Sequence, residues 1–484
     1  MAAPPATIPD RLRSLIHLHW GIQTLRPLQD EAMRAVLDGH DSLVVLPTGG
    51  GKSLCYQAPP LVRGETTVVV SPLIALMKDQ VDGLRASGVP AAQIDSAQSP
   101  DERQQAEADL RRGAVRLLFV SPERLTLSGF QRFLQQARVR TFAIDEAHCI
   151  SHWGHDFRPE YRQLNRLKEL FPNAAVHAYT ATATERVRQD IVAQLDLRDP
   201  AVLVGDFDRP NLTYRVVPRD KDVQSQVLDV LGRHRNEAGI VYCIRRKDVD
   251  ELAEALRRRG VRAVPYHAGM DPEARHAAQE AFAAEECDVV VATVAFGMGI
   301  DRSNLRFVLH TAMPKSVEHY QQEAGRAGRD GLEAECVLLF STADFLTWKR
   351  VIEKSAAEAE EPVDPSFVPG AIGHLEDMLR YCRTTTCRHK ALVEYFGQPF
   401  DKDNCNSCDL CLEGVKTDPD SVVIAQKMLS CVARVKERFG INHVIDVLRG
   451  RNNLKVSKYG HDQLSTFGLL KSESEAQLRD WMDQ

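Results

Sequence analysis

The chain has 484 residues and a formal charge of −6, with 43% hydrophobic and 26% charged residues, an ordinary globular balance in a chain too long for one core, so roughly three or four domains are expected. No apolar run approaches the ~20 residues of a membrane span, and residues 1–9 lack the charged and apolar regions of a signal peptide, which points to the cytoplasm. Eleven cysteines, several of them scattered through strand-like or helix-like runs, argue for reduced thiols rather than a disulfide frame, and the mild acidity means that any nucleic-acid surface must be local.

Residues 20–29 precede a helix over 30–37. The Gln29 amide can pair with an adenine edge and Arg26 can stack on a base or meet phosphate, or both can simply cap the helix. Residues 43–46 read as a buried strand that empties into Thr48-Gly49-Gly50-Gly51-Lys52-Ser53, with a helix from Ser53 onward. A strand feeding a glycine loop into a helix N-terminus is an anion cradle, because unpaired N–H groups and the helix dipole both face the phosphate. Lys52 would reach the β- and γ-phosphates of ATP and the Ser53 hydroxyl would ligate Mg2+. Leu46 stands where the strict motif has glycine.

Residues 66–80 and 116–124 each repeat strand, Ser-Pro and helix, and their loops should open on the same sheet edge, where Lys78 or Arg124 can hold a phosphodiester backbone. Residues 139–144 then run into Asp145-Glu146-Ala147-His148. Acids at the C-terminal end of a strand sit where a doubly wound sheet has its ligand crevice. Asp145 can hold the Mg2+ shell and Glu146 can orient and deprotonate the attacking water. Together the two motifs imply an ATP-hydrolysing α/β engine. Residues 149–161 gather Trp153, Phe157, Tyr161, two histidines and Arg158 without helical or strand period. Aromatics beside a catalytic acid can stack on bases at about 1–3 kcal/mol each, so Trp153, Phe157 and Arg158 are candidates for coupling a nucleic-acid strand to hydrolysis. Residues 174–184 form a further strand ending in small hydroxyls.

Around residues 205–211 the pattern breaks, and a second α/β series follows with strands over 239–243, 263–267, 288–293 and 307–310 and a helix over 248–259. It has no glycine-rich phosphate loop. Arg326 and Arg329, three apart on a helix, would share a face and, turned toward the first domain's nucleotide, neutralise charge growing on the γ-phosphate.

Thr48–Ser53, Asp145–His148, Thr180-Ala-Thr-Ala183, Phe296-Gly-Met-Gly-Ile-Asp301 and Gln322-x-x-Gly-Arg-x-x-Arg329 resemble the ordered motif set of superfamily 2 helicases. The aromatic loop and Leu25-Arg-Pro-Leu-Gln29 make the chain similar to the RecQ DNA helicases over nearly its whole length. That resemblance implies two tandem RecA-like lobes with parallel sheets over residues 1–208 and 209–342, ATP between them, Arg26 and Gln29 as adenine contacts, and Asp301 with residues 48–53 at the nucleotide. The adenine-stacking aromatic of the family falls on Ile22, with Trp20 close by. The implied activity is ATP-driven 3′ to 5′ unwinding in recombination and repair, by a monomer acting on single-stranded and duplex DNA. An RNA helicase and a DNA-binding switch without turnover are the rival readings.

The third region, 343–417, is helical in pattern and carries Cys405, Cys408 and Cys411 at two-residue spacers, which lets thiolates converge on one Zn2+. The fourth ligand lies among Cys387, Cys382 and His389, and the similarity of its setting to the RecQ zinc helix selects Cys387. Residues 353–364 read as an exposed connector. Residues 421–460 hold eight Lys/Arg against Glu437 and Asp446. A stripe of Met428, Val432, Val435 and Phe439, a helix over 444–448, and a capping box at Ser472-x-x-Glu475 ahead of Leu478, Trp481 and Met482 resemble part of the winged helix that RecQ proteins use on duplex DNA. This partial domain, 418–484, would stop before the wing hairpin, as in a truncated chain.

Overall fold

The computed structural model describes residues 7–96, 98–293, 296, 302–358, 364–414 and 420–483. The chain divides into two compact units, Met1–Leu412 and Glu413–Gln484. Among the described residues no helix is long and apolar enough to cross a membrane.

The first unit is built on two wholly parallel sheets. Seven strands, β1 (Ser42–Val45), β2 (Thr67–Val70), β3 (Ala91–Ile94), β4 (Leu117–Val120), β5 (Thr141–Ile144), β6 (Ala175–Thr180) and β7 (Ala201–Val204), lie in the order β3-β4-β2-β5-β6-β1-β7. Six more, β8 (Leu212–Pro218), β9 (Ala238–Tyr242), β10 (Ala263–Tyr266), β11 (Val289–Ala292), β12 (Leu305–His310) and β13 (Ala334–Phe340), lie in the order β10-β11-β9-β12-β13-β8. Helices cover both faces of a parallel sheet, so its strands read as unbroken apolar runs: β1, β2, β4 and β5 are buried at every position. This order places β5, β6 and β1 side by side, so the loops leaving their C-terminal ends open on one edge.

Strands β3, β7, β8 and β13 were not expected from the sequence. β3 carries Ala-Ala-Gln-Ile, an apolar run broken by Gln93, while β7, Ala-Val-Leu-Val, is apolar throughout but short and partly exposed at the sheet edge. The connector expected over 353–364 begins inside a helix, Thr342–Ala357, whose alanines and glutamates are good helix formers; residues 359–363 lie outside the described set.

The cysteine-bearing region is sewn onto the edge strand β8. Tyr214 N–H donates to Ser407 O (3.1 Å), and Asp409 takes Val216 N–H (2.8 Å) with one carboxylate oxygen and Arg388 (2.6 Å) with the other. An exposed sheet edge is thereby paired and covered.

In the second unit, helices Ser421–Arg434, Ile441–Leu448 and Glu475–Asp483 enclose Met428, Cys431, Val435, Val444, Val447, Leu448 and Leu478. The first helix stops at Arg434 rather than reaching Phe439, because Lys436 and Glu437 take positive φ. The last helix is capped by Ser474, whose Oγ accepts Gln477 N–H (3.1 Å), not by Ser472. Trp481 and Met482 pack against this core.

Ahead of β1, Asp41 accepts three donors: Lys168 Nζ (2.6 Å), Val176 N–H (2.9 Å) and Arg198 N–H (2.7 Å). Both Lys168 and the carboxylate are buried, so removing one partner strands the other. Asp41→Ala should lower the unfolding free energy by about 3–5 kcal/mol, measured by urea unfolding of the two proteins.

Candidate active site

The loop after β1 turns through Gly49 (φ +85°) and Gly51 (φ +77°), a backbone that L side chains rarely adopt. A Cβ on Gly50 would come 2.9 Å from Pro47 O, and one on Gly51 would collide with the Gln29 amide. The helix Lys52–Gln57 follows directly, with Gly51 as its N-cap.

Gln29 braces this loop. Its Nε2 donates to Gly51 O (3.0 Å) and its Oε1 accepts Arg26 N–H (2.8 Å), so both ends of the amide are engaged by protein backbone. Arg26, Trp20 and Ile22 line the neighbouring cavity.

After β5, Asp145 and Glu146 meet the loop. Glu146 has φ +47°, a strained value for a glutamate that is set by its position as N-cap of the 3-10 turn Ala147–Ile150. Lys52 Nζ lies 3.8 Å from Glu146 Oε1, and His148 Nδ1 lies 3.3 Å from Glu146 Oε2 and 2.8 Å from Thr180 Oγ1. Thus the loop after β1 supplies Lys52, the turn after β5 supplies Glu146 and His148, and Thr180 at the end of β6 braces the histidine. Asp145 is held by Tyr56 O–H (3.3 Å) and by the N–H of Glu146 (3.0 Å), while Tyr161 O–H donates to its carbonyl (2.9 Å).

The two carboxyls are pushed apart in acidity. Burial, then the Glu146 charge, raises Asp145 to about 6. Burial would raise Glu146 as well, but Lys52, then His148 and Arg326, outweigh it and hold Glu146 at about 2. Burial disfavours charge on His148, yet Cys149 and Glu146 outweigh that and raise it to about 10.

Arg326 and Arg329 are not helical, contrary to expectation: the helix Val317–Ala324 runs into Gly325, and both arginines sit on the turn that follows. They nevertheless reach the first sheet's loops. A cavity of about 610 Å³ is lined on one side by Thr48, Gly49, Gly51, Lys52, Ser53, Asp145 and Glu146 and on the other by Gln322, Arg326 and Arg329. Asp301 lies outside the described residues.

The aromatic loop is pinned at several points. Phe157 stacks on His152 (4.1 Å between centroids), and Arg158 pairs with Asp156 (3.1 Å) and donates to Pro72 O (2.9 Å) in the loop after β2. Trp153 keeps 39% of its surface exposed, with the Arg186 guanidinium against its ring (3.2 Å to centroid). Arg124 is turned onto Phe130 (5.1 Å) and Glu107 (3.7 Å).

Cys387, Cys405, Cys408 and Cys411 bring their sulfurs within 4.8 Å of one another. A tetrahedral Zn2+ with Zn–S near 2.3 Å wants sulfurs roughly 3.8 Å apart, so the four thiols fit that ion with little adjustment. Cys382 packs instead into the apolar core, and His389 is occupied by Asp208 (2.7 Å), Leu212 O (3.1 Å) and Ser407 O (3.1 Å).

Arg209, which sequence reasoning passed over as part of a pattern break, bridges the loop after β1 and the arginine turn. Its signal was an arginine set between Asp208 and Pro210 in a stretch without period.

Family models agree with this layout. A DEAD/DEAH box helicase model matches residues 26–191, the helicase conserved C-terminal domain 222–331, a RecQ zinc-binding model 342–412 and an RQC domain model 417–484. The ATP-dependent DNA helicase RecQ of Pasteurella multocida (strain Pm70) is 45% identical over 95% of this chain and 71% of its own length. That of Bacillus subtilis (strain 168) is 44% identical over 98% of this chain and 79% of its own. Among solved structures, the Mycobacterium smegmatis helicase Lhr bound to ssDNA and AMP-PNP aligns with a TM-score of 0.55 at 20% identity, covering 78% of this chain and 58% of that one. The DUF1998 helicase MrfA bound to DNA and AMPPNP aligns at 0.59 and 19%, covering 82% and 59%. At these identities the likeness is one of fold.

The thiol cluster makes a measurable statement. Cys408→Ser should take the zinc content from about one equivalent per chain to near zero, whereas Cys382→Ser should retain it, measured by atomic absorption after gel filtration.

Proposed function

The chain belongs to the RecQ family of ATP-dependent DNA helicases, and on that premise we propose that it couples ATP hydrolysis in the cavity between its two sheets to 3′ to 5′ movement along DNA and to duplex opening, in recombination and repair. The observation that carries this reading is the single cavity with Lys52, Asp145 and Glu146 on one wall and Arg326 and Arg329 on the other. We assign the lobes to 1–208 and 209–342, the zinc module to 343–417 and a winged-helix region to 418–484. Activity would be cytoplasmic, by a monomer.

The backbone N–H groups of the loop after β1 and Lys52 hold the triphosphate, which draws Lys52 away from Glu146. Arg26, which lines the cavity, faces the base, while Gln29 braces the phosphate loop from behind. Ser53 and Asp145 are the residues suited to Mg2+, which would neutralise phosphate charge; a buried, hard-to-ionise Asp145 beside an ionised Glu146 is a site that a divalent cation relieves. Glu146, ionised at neutral pH, takes a proton from the attacking water, with His148 fixing its orientation through Oε2. Arg326 and Arg329 neutralise the charge that grows on the transferred phosphoryl group. Trp153, with its exposed ring on a loop continuous with Glu146, meets the DNA strand; Phe157 and Arg158 hold that loop and tie it to the loop after β2. The basic helices of residues 421–460 serve the duplex.

ATP turnover titrated with DNA, run beside strand displacement on a 3′-tailed duplex, tests the reading. Turnover should rise with DNA and fall by at least about 100-fold in Lys52→Ala. Arg326→Ala should lower kcat by about 1,000-fold with little change in ATP affinity. Equal stimulation by RNA, or turnover that survives Lys52→Ala, would overturn it.

A further inference from the structure

The segment joining the two sheets, residues 205–211, is clamped along its length. Phe207 lies flat on Phe396 (4.3 Å, 8° between planes), and its N–H donates to Gln398 Oε1 (3.0 Å), whose Nε2 donates back to Gly205 O (3.0 Å). Asp208 accepts from His389 (2.7 Å) and Lys402 (2.9 Å). Against that fixed base Arg209 spreads its guanidinium. Nη1 donates to Thr48 O (3.2 Å) and Gly325 O (3.3 Å), Nη2 to Ala327 O (3.0 Å) and Gly328 O (2.9 Å), and Nε to Asn211 Oδ1 (3.3 Å). Asn211 Nδ2 adds a second bond to Gly328 O (2.9 Å).

One side chain therefore joins a carbonyl of the phosphate loop to three carbonyls of the turn that carries Arg326 and Arg329. Those three follow the end of the helix Val317–Ala324, where carbonyls lack helical partners and the dipole favours a cation. The backbones are in close approach there: a Cβ on Gly325 would lie 3.2 Å from Thr48 Cβ, and one on Gly49 would lie 3.4 Å from Arg329 Cγ. Arg209 does not itself line the cavity. Its five donors in a planar fork suit several carbonyls at once, which a lysine ammonium on a flexible stem does not match.

We propose that Arg209 is a positioning residue for ATP hydrolysis, holding the arginine turn in register with the phosphate loop so that Arg326 and Arg329 reach the γ-phosphate. This rests on the role given above to those two arginines. A purely structural bond would be felt in stability alone. A positioning role appears in turnover with nucleotide affinity kept.

The test uses the full chain, with kcat and KM for ATP at saturating single-stranded DNA and Tm for Arg209→Ala, Arg209→Lys, Arg326→Ala and the double variant Arg209→Ala/Arg326→Ala. Arg209→Ala should lower kcat by about 30- to 100-fold with KM within about threefold while Tm, lowered by the lost hydrogen bonds, stays above the assay temperature, and Arg209→Lys should fall between it and the parent. The double variant should lose clearly less than the product of the two single losses, because the share of the Arg209 effect that runs through Arg326 is already gone. Multiplying losses in the double variant, an unchanged kcat in Arg209→Ala, or a raised KM with kcat kept would each overturn the proposal. Should Arg209→Ala not fold, Arg209→Lys takes its place in the cycle under the same criteria. If Arg326→Ala alone leaves kcat intact, the arginine assignment falls and this inference with it. If Arg326→Ala slows turnover and Arg209→Ala does not, only this inference falls.

Discussion

Two adjacent carboxyl groups at the end of β5 are buried side by side, and much of the first unit can be understood as what keeps one of them charged. Like charges at that distance in a low-dielectric pocket cannot both ionise cheaply. The fold resolves this by asymmetry: Asp145 is turned toward Tyr56 and a backbone N–H, while Glu146 is turned toward Lys52 and His148. Lys52 comes from the loop after β1, which the strand order β5-β6-β1 brings near, while His148 lies two residues beyond Glu146 on the same turn and is braced by Thr180 at the end of β6. The parallel sheet is thus more than a scaffold, since its strand order brings Lys52 to a buried glutamate and helps to keep that glutamate ionised.

The same logic explains the glycines of the loop after β1 and the left-handed backbone of Glu146. A phosphate-sized anion can approach N–H groups only where no Cβ intervenes, and Gly49, Gly50 and Gly51 sit where a Cβ would be excluded by backbone, by Gln29 or by their own φ. Glu146 bears a left-handed φ of +47° so that its carboxylate points between Lys52 and His148. Strain at that one residue is tolerated because Tyr161 and Asp145 fix the peptide before it.

Much of this was legible in the amino-acid sequence. Motifs that bind through backbone and charge need fixed residue types at fixed spacing, so residues 48–53, Asp145 and Glu146, and the three closely spaced cysteines could be read without coordinates. What escaped was whatever depends on tertiary context. Gln29 reads as a base-pairing amide, but its partners are Gly51 O and Arg26 N–H, a pairing across the fold that no local pattern announces. Arg326 and Arg329 keep a helical spacing in sequence, yet Gly325 ends the helix before them and they reach the cavity from a turn. Edge strand β3 escaped because Gln93 breaks its apolar run, whereas β7, apolar throughout, was passed over as a short stretch beside the break at residues 205–211. Ser472 and Ser474 both satisfy a capping pattern, and only the backbone shows which one caps.

The cysteine-bearing region answers a problem that the second sheet creates. Strand β8 lies at its edge beyond β13, and an unpaired edge would invite pairing with other chains. Ser407, Cys408 and Asp409 occupy that edge. Cys408 is buried there and Leu410 packs against the core, and the four converging thiols would add Zn2+ coordination to that packing. Because His389 and Gln398 extend from this region to Asp208 and Phe207, the element that protects the sheet edge also stiffens the segment between the lobes. A joint fixed in this way gives Arg209 a rigid base from which its one guanidinium reaches the loop after β1 and the turn after the helix Val317–Ala324 together.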